Sequence, residues 1–266
     1  MKHRKILSLI IVSALILSAL TSCAKTPESL TEKADSVLAK KAHVIEVNID
    51  YTVENATLSE MFSQLESKEV KLLVDGDKLV IEDRMSIDYG SGENQFVNTY
   101  VIVGGIVYMD MRYTTPSGSN STKGKSEIIG ENALSFKENA SIIGGIGFDD
   151  FMSVSVENRD GDKVIVCTGI GDELRAMLEK IMISELSDTA EKVGAKDARL
   201  TIELDGKKYD TVTLVCDYEI TMSGFTYNVT AEYELEYDYD ERVNITAPTN
   251  LFEYSDMELE TILGTL

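Results

Sequence analysis

Residues 44–53 alternate apolar and polar positions: Ile45, Val47, Ile49 and Tyr51 stand against Val44, Glu46, Asn48 and Asp50, a period of two that predicts a strand with one buried and one wet face. Similar runs recur at 70–74, 79–87, 96–103, 106–113, 152–158, 164–168, 198–204, 209–222 and 225–246, separated by turn signals such as Asp75-Gly76-Asp77, Gly104-Gly105, Asp205-Gly206 and Ser223-Gly224. These predict hairpins joined in chain order. Between them the spacing changes to that of a helix. Thr26 followed by Pro27 opens one, with Leu30, Ala34, Val37, Leu38 and Ala42 on one face. A capping box at Thr57 and Glu60 precedes Leu58, Met61, Phe62 and Leu65, and a helix from Asp172 carries Leu174, Met177, Leu178, Ile181, Met182 and Leu186 on one side. A second capping box, Ser255 with Glu258, opens a closing helix through Leu259, Ile262, Leu263 and Leu266. Residues 115–126, TPSGSNSTKGKS, read as a polar surface loop. About ten antiparallel strands with few helices predict an α+β domain, a large curved antiparallel sheet in the form of a half-barrel with helices packed on its concave face.

The first residues form a separate unit. Lys2, Arg4 and Lys5 precede fifteen residues that are apolar apart from serines, and Leu20-Thr21-Ser22-Cys23 follows. The apolar run is short for a bilayer span of about 20 residues and has the build of a signal peptide. Leu-x-small followed by cysteine resembles the bacterial lipobox, in which the thiol is diacylated and the chain is cut before it. Residues 1–22 are therefore expected to be removed, 23–27 to form the lipidated N-terminus and a short tether, and 28–266 to form a single domain. The expected location is the cell membrane, lipid-anchored on its extracytoplasmic side. Two or three acyl chains at Cys23 hold a protein stably, where one holds it marginally. No other cofactor is expected.

Loss of three basic residues with the signal takes the formal charge from −21 to −24. Such a chain has no electrostatic grip on nucleic acid or on an anionic bilayer. Beyond Cys23 the mature chain keeps Cys167, Cys216 and His43, too few for a Cys/His zinc site or a Cys-His nucleophile pair with an orienting partner. No G-x-S-x-G is present, and the chain is expected not to be an enzyme. Cys167 and Cys216 each lie in an apolar strand, and the pair is compatible with a disulfide or with two buried thiols.

The run AEYELEYDYDE puts Glu232, Glu234, Glu236, Asp238 and Asp240 on one strand face, about 7 Å apart, with Tyr233, Leu235, Tyr237 and Tyr239 on the other. The acidic face is a solvated outer surface, a cation strip or a contact for a basic envelope protein. The apolar alternates fill a core or line a cavity. The glycines of SIIGGIGF, residues 141–148, serve either a loop over a cavity mouth or a tight buried connection.

The order of lipobox, helix (ESLTEKADSVLAKKAHVIEVNIDY), hairpins with GGIVYMDM, a mid-chain helix, LDGKKYDTVTL and a closing VNITAP resembles the LolA/LppX-type lipoproteins over nearly all of the mature chain. The resemblance implies a half-barrel with an apolar concavity that binds or carries a lipid or another apolar small molecule without chemistry. Its wall would comprise Val212, Leu214, Tyr218, Ile220, Phe225, Tyr227, Val229 and Tyr233. The alternative is a surface or structural interaction module of the cell envelope with a packed core and an acidic outer face.

Overall fold

The computed structural model describes residues 26–53, 62, 68–88, 92–128, 146–159, 161–186 and 190–263. Cys23, the leader and most of the segments around Leu58 and Gly144 lie outside the described residues.

Helix α1 (Pro27–Leu38) starts as the sequence dictates: Thr26 is extended, its hydroxyl accepts the Ser29 N–H at 3.3 Å, and Pro27 spends no donor in the first turn. The chain then enters β1 (His43–Val53), followed by β2 (Lys68–Asp75), β3 (Lys78–Asp88), β4 (Glu93–Val103), β5 (Ile106–Thr115) and β6 (Gly118–Glu127). After β7 (Ser153–Arg159) and β8 (Asp162–Thr168) comes helix α2 (Asp172–Leu186). The long strands β9 (Lys192–Asp205), β10 (Lys208–Met222) and β11 (Phe225–Asp238), the two-residue β12 (Ser255–Asp256) and the short helix α3 (Leu259–Leu263) complete the order.

All twelve strands belong to one sheet, in the order β12-β6-β5-β4-β3-β2-β1-β11-β10-β9-β8-β7. Most sequence neighbours pair with one another, and two long-range pairings complete the sheet: β1 against β11, with Val47 opposite Leu235 and Tyr51 opposite Ala231, and β12 against β6. Every pair is antiparallel except β12 on β6.

This corrects the expected architecture. The sheet is mixed and open, with twelve strands where about ten were expected, and helices lining the concave face of a half-barrel are not what forms. Among the described residues α1 lies against β10 and β7, α2 against β9 and α3 against β6, each covering a patch of sheet. The two additional strands are β6 and β12. The segment read as a polar loop is paired with β5 from Ile106–Glu127 to Thr115–Gly118, because ladder hydrogen bonds need no apolar alternation when the side chains face water. Ser255, expected as a helix cap, lies in β12 instead, and the last long strand stops at Asp238 rather than continuing to 246.

The core is one continuous cluster. Inner-face residues of β1, β9, β10 and β11 meet Leu30 and Ala34 of α1 and Leu174, Leu178 and Met182 of α2. A bulge at Lys196, where Asp217 opposes Asp197 but Tyr218 opposes Ala195, takes the Ala195 amide out of the regular ladder. Helix α2 satisfies it: the Ala195 N–H donates to Glu179 at 3.1 Å, and Arg175 donates to the Ala195 carbonyl. The two side chains are one helical turn apart, so one face of α2 holds both backbone groups of Ala195.

Candidate functional site

The β10–β11 hairpin turns at Ser223 and Gly224, both with positive φ, the pairing that matches the twist of a two-residue hairpin. From there the register sets Ile220 against Tyr227, Tyr218 against Val229, Leu214 against Tyr233 and Val212 against Leu235. Six of the eight residues expected to line a ligand wall, Val212, Leu214, Tyr218, Ile220, Val229 and Tyr233, are at most 4% exposed and belong to the packed cluster. Tyr227 is half-buried at its margin. Phe225 is apart from them: it is at the turn tip, 66% exposed, although its phase along the strand is the same.

The inner face holds a buried polar knot. Tyr218, opposite Val229, lies near Cys216, Tyr233 and Tyr51, and its phenol oxygen is buried without a hydrogen-bond partner. Burial drives the Tyr218 phenol far above its ordinary range. It likewise pushes the Cys216 thiol up to about 12 and the Cys167 thiol up to about 11, which makes both poor nucleophiles. Cys167 opposes Leu200 on β9 while Cys216 opposes Ala198 on the other side of β9, so a whole strand stands between them. Two strand spacings, about 9.6 Å, exceed the reach of a disulfide, and both cysteines are free. Of the two states the sequence allowed, the structure shows two buried thiols.

A second aromatic group ties α1 to the sheet. The Tyr209 hydroxyl donates to Asp35 at 2.7 Å, its ring stacks on Tyr237 with centroids 5.3 Å apart, and Lys208 lies over Tyr239 at 5.1 Å.

On the outer face the same strands carry an acidic ladder. Glu236 opposes Glu46 and Glu232 opposes Asp50, like charges placed directly across from one another, with Glu234 between them opposite Asn48. Partial burial, then the charges of Glu236, Glu232, Asp50 and Glu203, raise the Glu234 carboxyl above its ordinary value. Lys71 offsets one end of the ladder, at 3.2 Å from Glu46 and 3.1 Å from Glu241, and its own pKa is raised chiefly by the Glu241 hydrogen bond. Two clefts open here. One of about 290 Å³ is lined by Glu69, Lys71, Leu73, Glu82, Arg84 and Glu241; another of about 230 Å³ by Glu46, Asp210, Thr211, Glu236, Tyr237 and Asp238. Among the described residues no three carboxylate, imidazole or thiol groups converge as a metal site. The Lys71 bridges and the Asp210 wall were not legible in the strand pattern, since they depend on which strands become neighbours.

Phe62 alone of the capping-box helix segment is described; it is buried, its ring 5.0 Å from that of Tyr51. Of the glycine-rich stretch only residues 146–148 are described. Among the described residues no helix is long and apolar enough to cross a membrane.

No family model matches this chain, and no curated protein matches it. Two solved structures align over most of its length. One is an isomerase-inactive variant of GphF DH1, 9% identical over 82% of each chain with a TM-score of 0.12. The other is an N-terminal dehydratase from the difficidin assembly line, 11% identical over 82% of this chain and 83% of that one, with a TM-score of 0.13. Scores this low carry no argument about fold or chemistry.

Proposed function

We propose that the chain is a membrane-tethered, non-catalytic interaction module of the cell envelope, with a packed interior and an acidic outer face that receives a basic protein partner. The observation that carries this reading is the burial of the inner strand face: residues suited to an apolar ligand are instead in contact with one another and with α1 and α2. A lipid carrier calls for an apolar chamber of several hundred cubic ångströms. Among the described residues, the two clefts noted above are lined mainly by charged side chains of the outer face. The tether rests on the sequence reading of Cys23, which also sustains the likeness to LolA/LppX-type lipoproteins as far as anchoring goes.

The outer face suits a basic partner because its charge is uncompensated. Lys71 is the cation that meets Glu46, whereas Glu232, Glu234 and Glu236 face Asp50, Asn48 and Glu46 on β1 and Val215, Thr213 and Thr211 on β10. A Lys- or Arg-rich segment lying along β11 relieves the like-charge repulsion as it binds. Calorimetric titration of the mature protein with a ten-residue lysine peptide tests this. Binding that falls at least tenfold between 50 and 300 mM salt, and is lost when Glu232, Glu234 and Glu236 are all changed to Gln, is the expected result; equal binding by that triple variant would overturn the reading.

A further inference from the structure

β11 ends at Asp238 beside β1, whereas β12 begins at Ser255 on the far side of β6, with β1 to β6 lying between them. Seven strand spacings are about 34 Å, and residues 239–254 extend to roughly 50 Å, so this belt crosses the sheet with slack. Residues 239–250 form neither helix nor strand, and among the described residues none of 242–249 takes part in a backbone hydrogen bond. The belt is held at its start by the Lys71–Glu241 bridge and midway by Ile245, which is 2% exposed. Connections of this length without structure of their own are uncommon in compact domains and usually serve a function.

Where the belt ends, the chain is densely fixed. Tyr254 meets Tyr108 edge-on with ring centroids 5.5 Å apart, and Lys123 lies 5.6 Å from the Tyr254 centroid while bridging Glu253 at 2.6 Å and Asp110 at 3.5 Å. Ser255 and Asp256 pair with Gly124 and Lys125, the Lys125 ammonium is 3.5 Å from Asp256, and the Met257 N–H donates to the Lys125 carbonyl at 2.9 Å. The Met257 thioether occupies the space that a Cβ on residue 124 would need, which glycine leaves open. Leu259 and Ile262 of α3 then enter the core. Charge matches as well: residues 251–258 carry Glu253, Asp256 and Glu258 and no base, and β6 offers Lys123 and Lys125. Leu251 and Phe252, directly before this clasp, are 43% and 87% exposed, an adjacent apolar pair that closure on the same chain leaves in water.

We infer that residues 255–263 form an exchangeable clasp whose second acceptor is the β6 edge of another copy of this chain, giving a reciprocal dimer in which each copy's β12 completes its partner's sheet. The segment that fits this edge in charge, pairing and thioether placement is the chain's own, so a second copy is the partner that supplies it. Every residue the clasp meets on the sheet, Tyr108, Asp110, Lys123, Gly124 and Lys125, is present unchanged in that copy. Exchange therefore conserves the clasp contacts and alters only the course of the weakly held belt, the condition under which swapping costs little. Protein concentration then sets the balance between the closed and exchanged forms. In the dimer the two belts pass from copy to copy, and the Leu251-Phe252 pair of each is covered by the other, which favours association beyond the conserved contacts. Leu259 and Ile262 must leave the core during exchange, so the two forms interconvert slowly.

Lys125 and Asp256 are register partners whose side chains meet, which puts cysteines at these two positions within disulfide reach. The full mature chain is prepared as the double variant Lys125→Cys/Asp256→Cys and as each single variant, in about 0.3 M salt to screen the charge of −24 on each copy. With oxidised glutathione the dilute double variant should close its bond within one chain. At high concentration, Lys125→Cys mixed with Asp256→Cys should give a disulfide-linked dimer roughly tenfold faster than Lys125→Cys mixed with Asp77→Cys, an exposed turn position away from the clasp. Peptide mass mapping identifies the bond between positions 125 and 256. Equal rates in the two mixtures, with the double variant closing internally, would overturn the proposal. A double variant that fails to close would overturn it too, because the clasp would then not sit on β6.

Discussion

The inner and outer faces of β10 and β11 share one backbone and one register, yet they are held by opposite physics. Inside, Leu214 and Tyr233 stand opposite each other with essentially no exposure, and each removed methylene leaves a void that the surrounding close-packed chains fill only in part. Outside, Glu232, Glu234 and Glu236 repel one another and their neighbours on β1, and the fold carries that cost on strength supplied by the inner face. The lesson is that stability and partner recognition are separated by the pleat: a residue shifted by one position moves from one role to the other.

The largest effect should come from the inside. Leu214→Ala is expected to lower unfolding free energy by about 3 kcal/mol, read by urea denaturation. A loss below about 1 kcal/mol would mean that the interior is looser than the burial implies. Next in size is the α2 clamp on the bulge. Glu179→Ala leaves the buried side of the Ala195 N–H without its acceptor and should cost about 2 kcal/mol, with faster amide exchange at Ala195 than at Leu200. Tyr209→Phe, which removes the hydrogen bond to Asp35, should cost about 1 to 2 kcal/mol and loosen α1 before the sheet, visible as exchange in α1 at lower denaturant.

The outer face should respond with the opposite sign. Because the folded state raises the Glu234 pKa, it binds protons there more tightly than the unfolded chain does. Stability from this group is therefore present at low pH and is lost as pH rises through the raised folded value. Glu234→Gln should stabilise by on the order of 0.5 kcal/mol at pH 7 and by nothing at pH 3. A variant equally stable to the wild type at both values would remove the ladder from the account. The thiols add a test without an energy scale. On native protein Cys167 and Cys216 should resist a thiol reagent, and two groups should react after denaturation without reductant.

Most strands were legible because a half-buried strand writes its own period: β1, β10 and β11 alternate residue by residue, and Thr26-Pro27 marks a helix start through cap chemistry. What was not legible is partnership. Nothing in the period of β1 says that it pairs with β11, yet that pairing creates the Glu46–Glu236 and Asp50–Glu232 contacts. Nor does any period betray β6, whose exposed polar side chains leave only backbone bonds to define it. Phase along β11 groups Phe225 with Tyr227 and Val229, but phase is blind to where the strand emerges from its turn, and that is why Phe225 is exposed. The expected half-barrel failed for a related reason. Alternation shows that one face is buried, whereas the curvature of the sheet and what covers that face depend on twist, strand order and helix placement.

The central claim is that the inner face is a packed core with no cargo. Native mass spectrometry of the mature protein isolated from a bacterial membrane, followed by lipid extraction of the released chain, tests it most directly. The account predicts the mass of the chain with its covalent acyl groups alone and no uptake of an added fluorescent fatty acid; a reproducible extra lipid mass, lost in Tyr218→Trp while the fold persists, would contradict it.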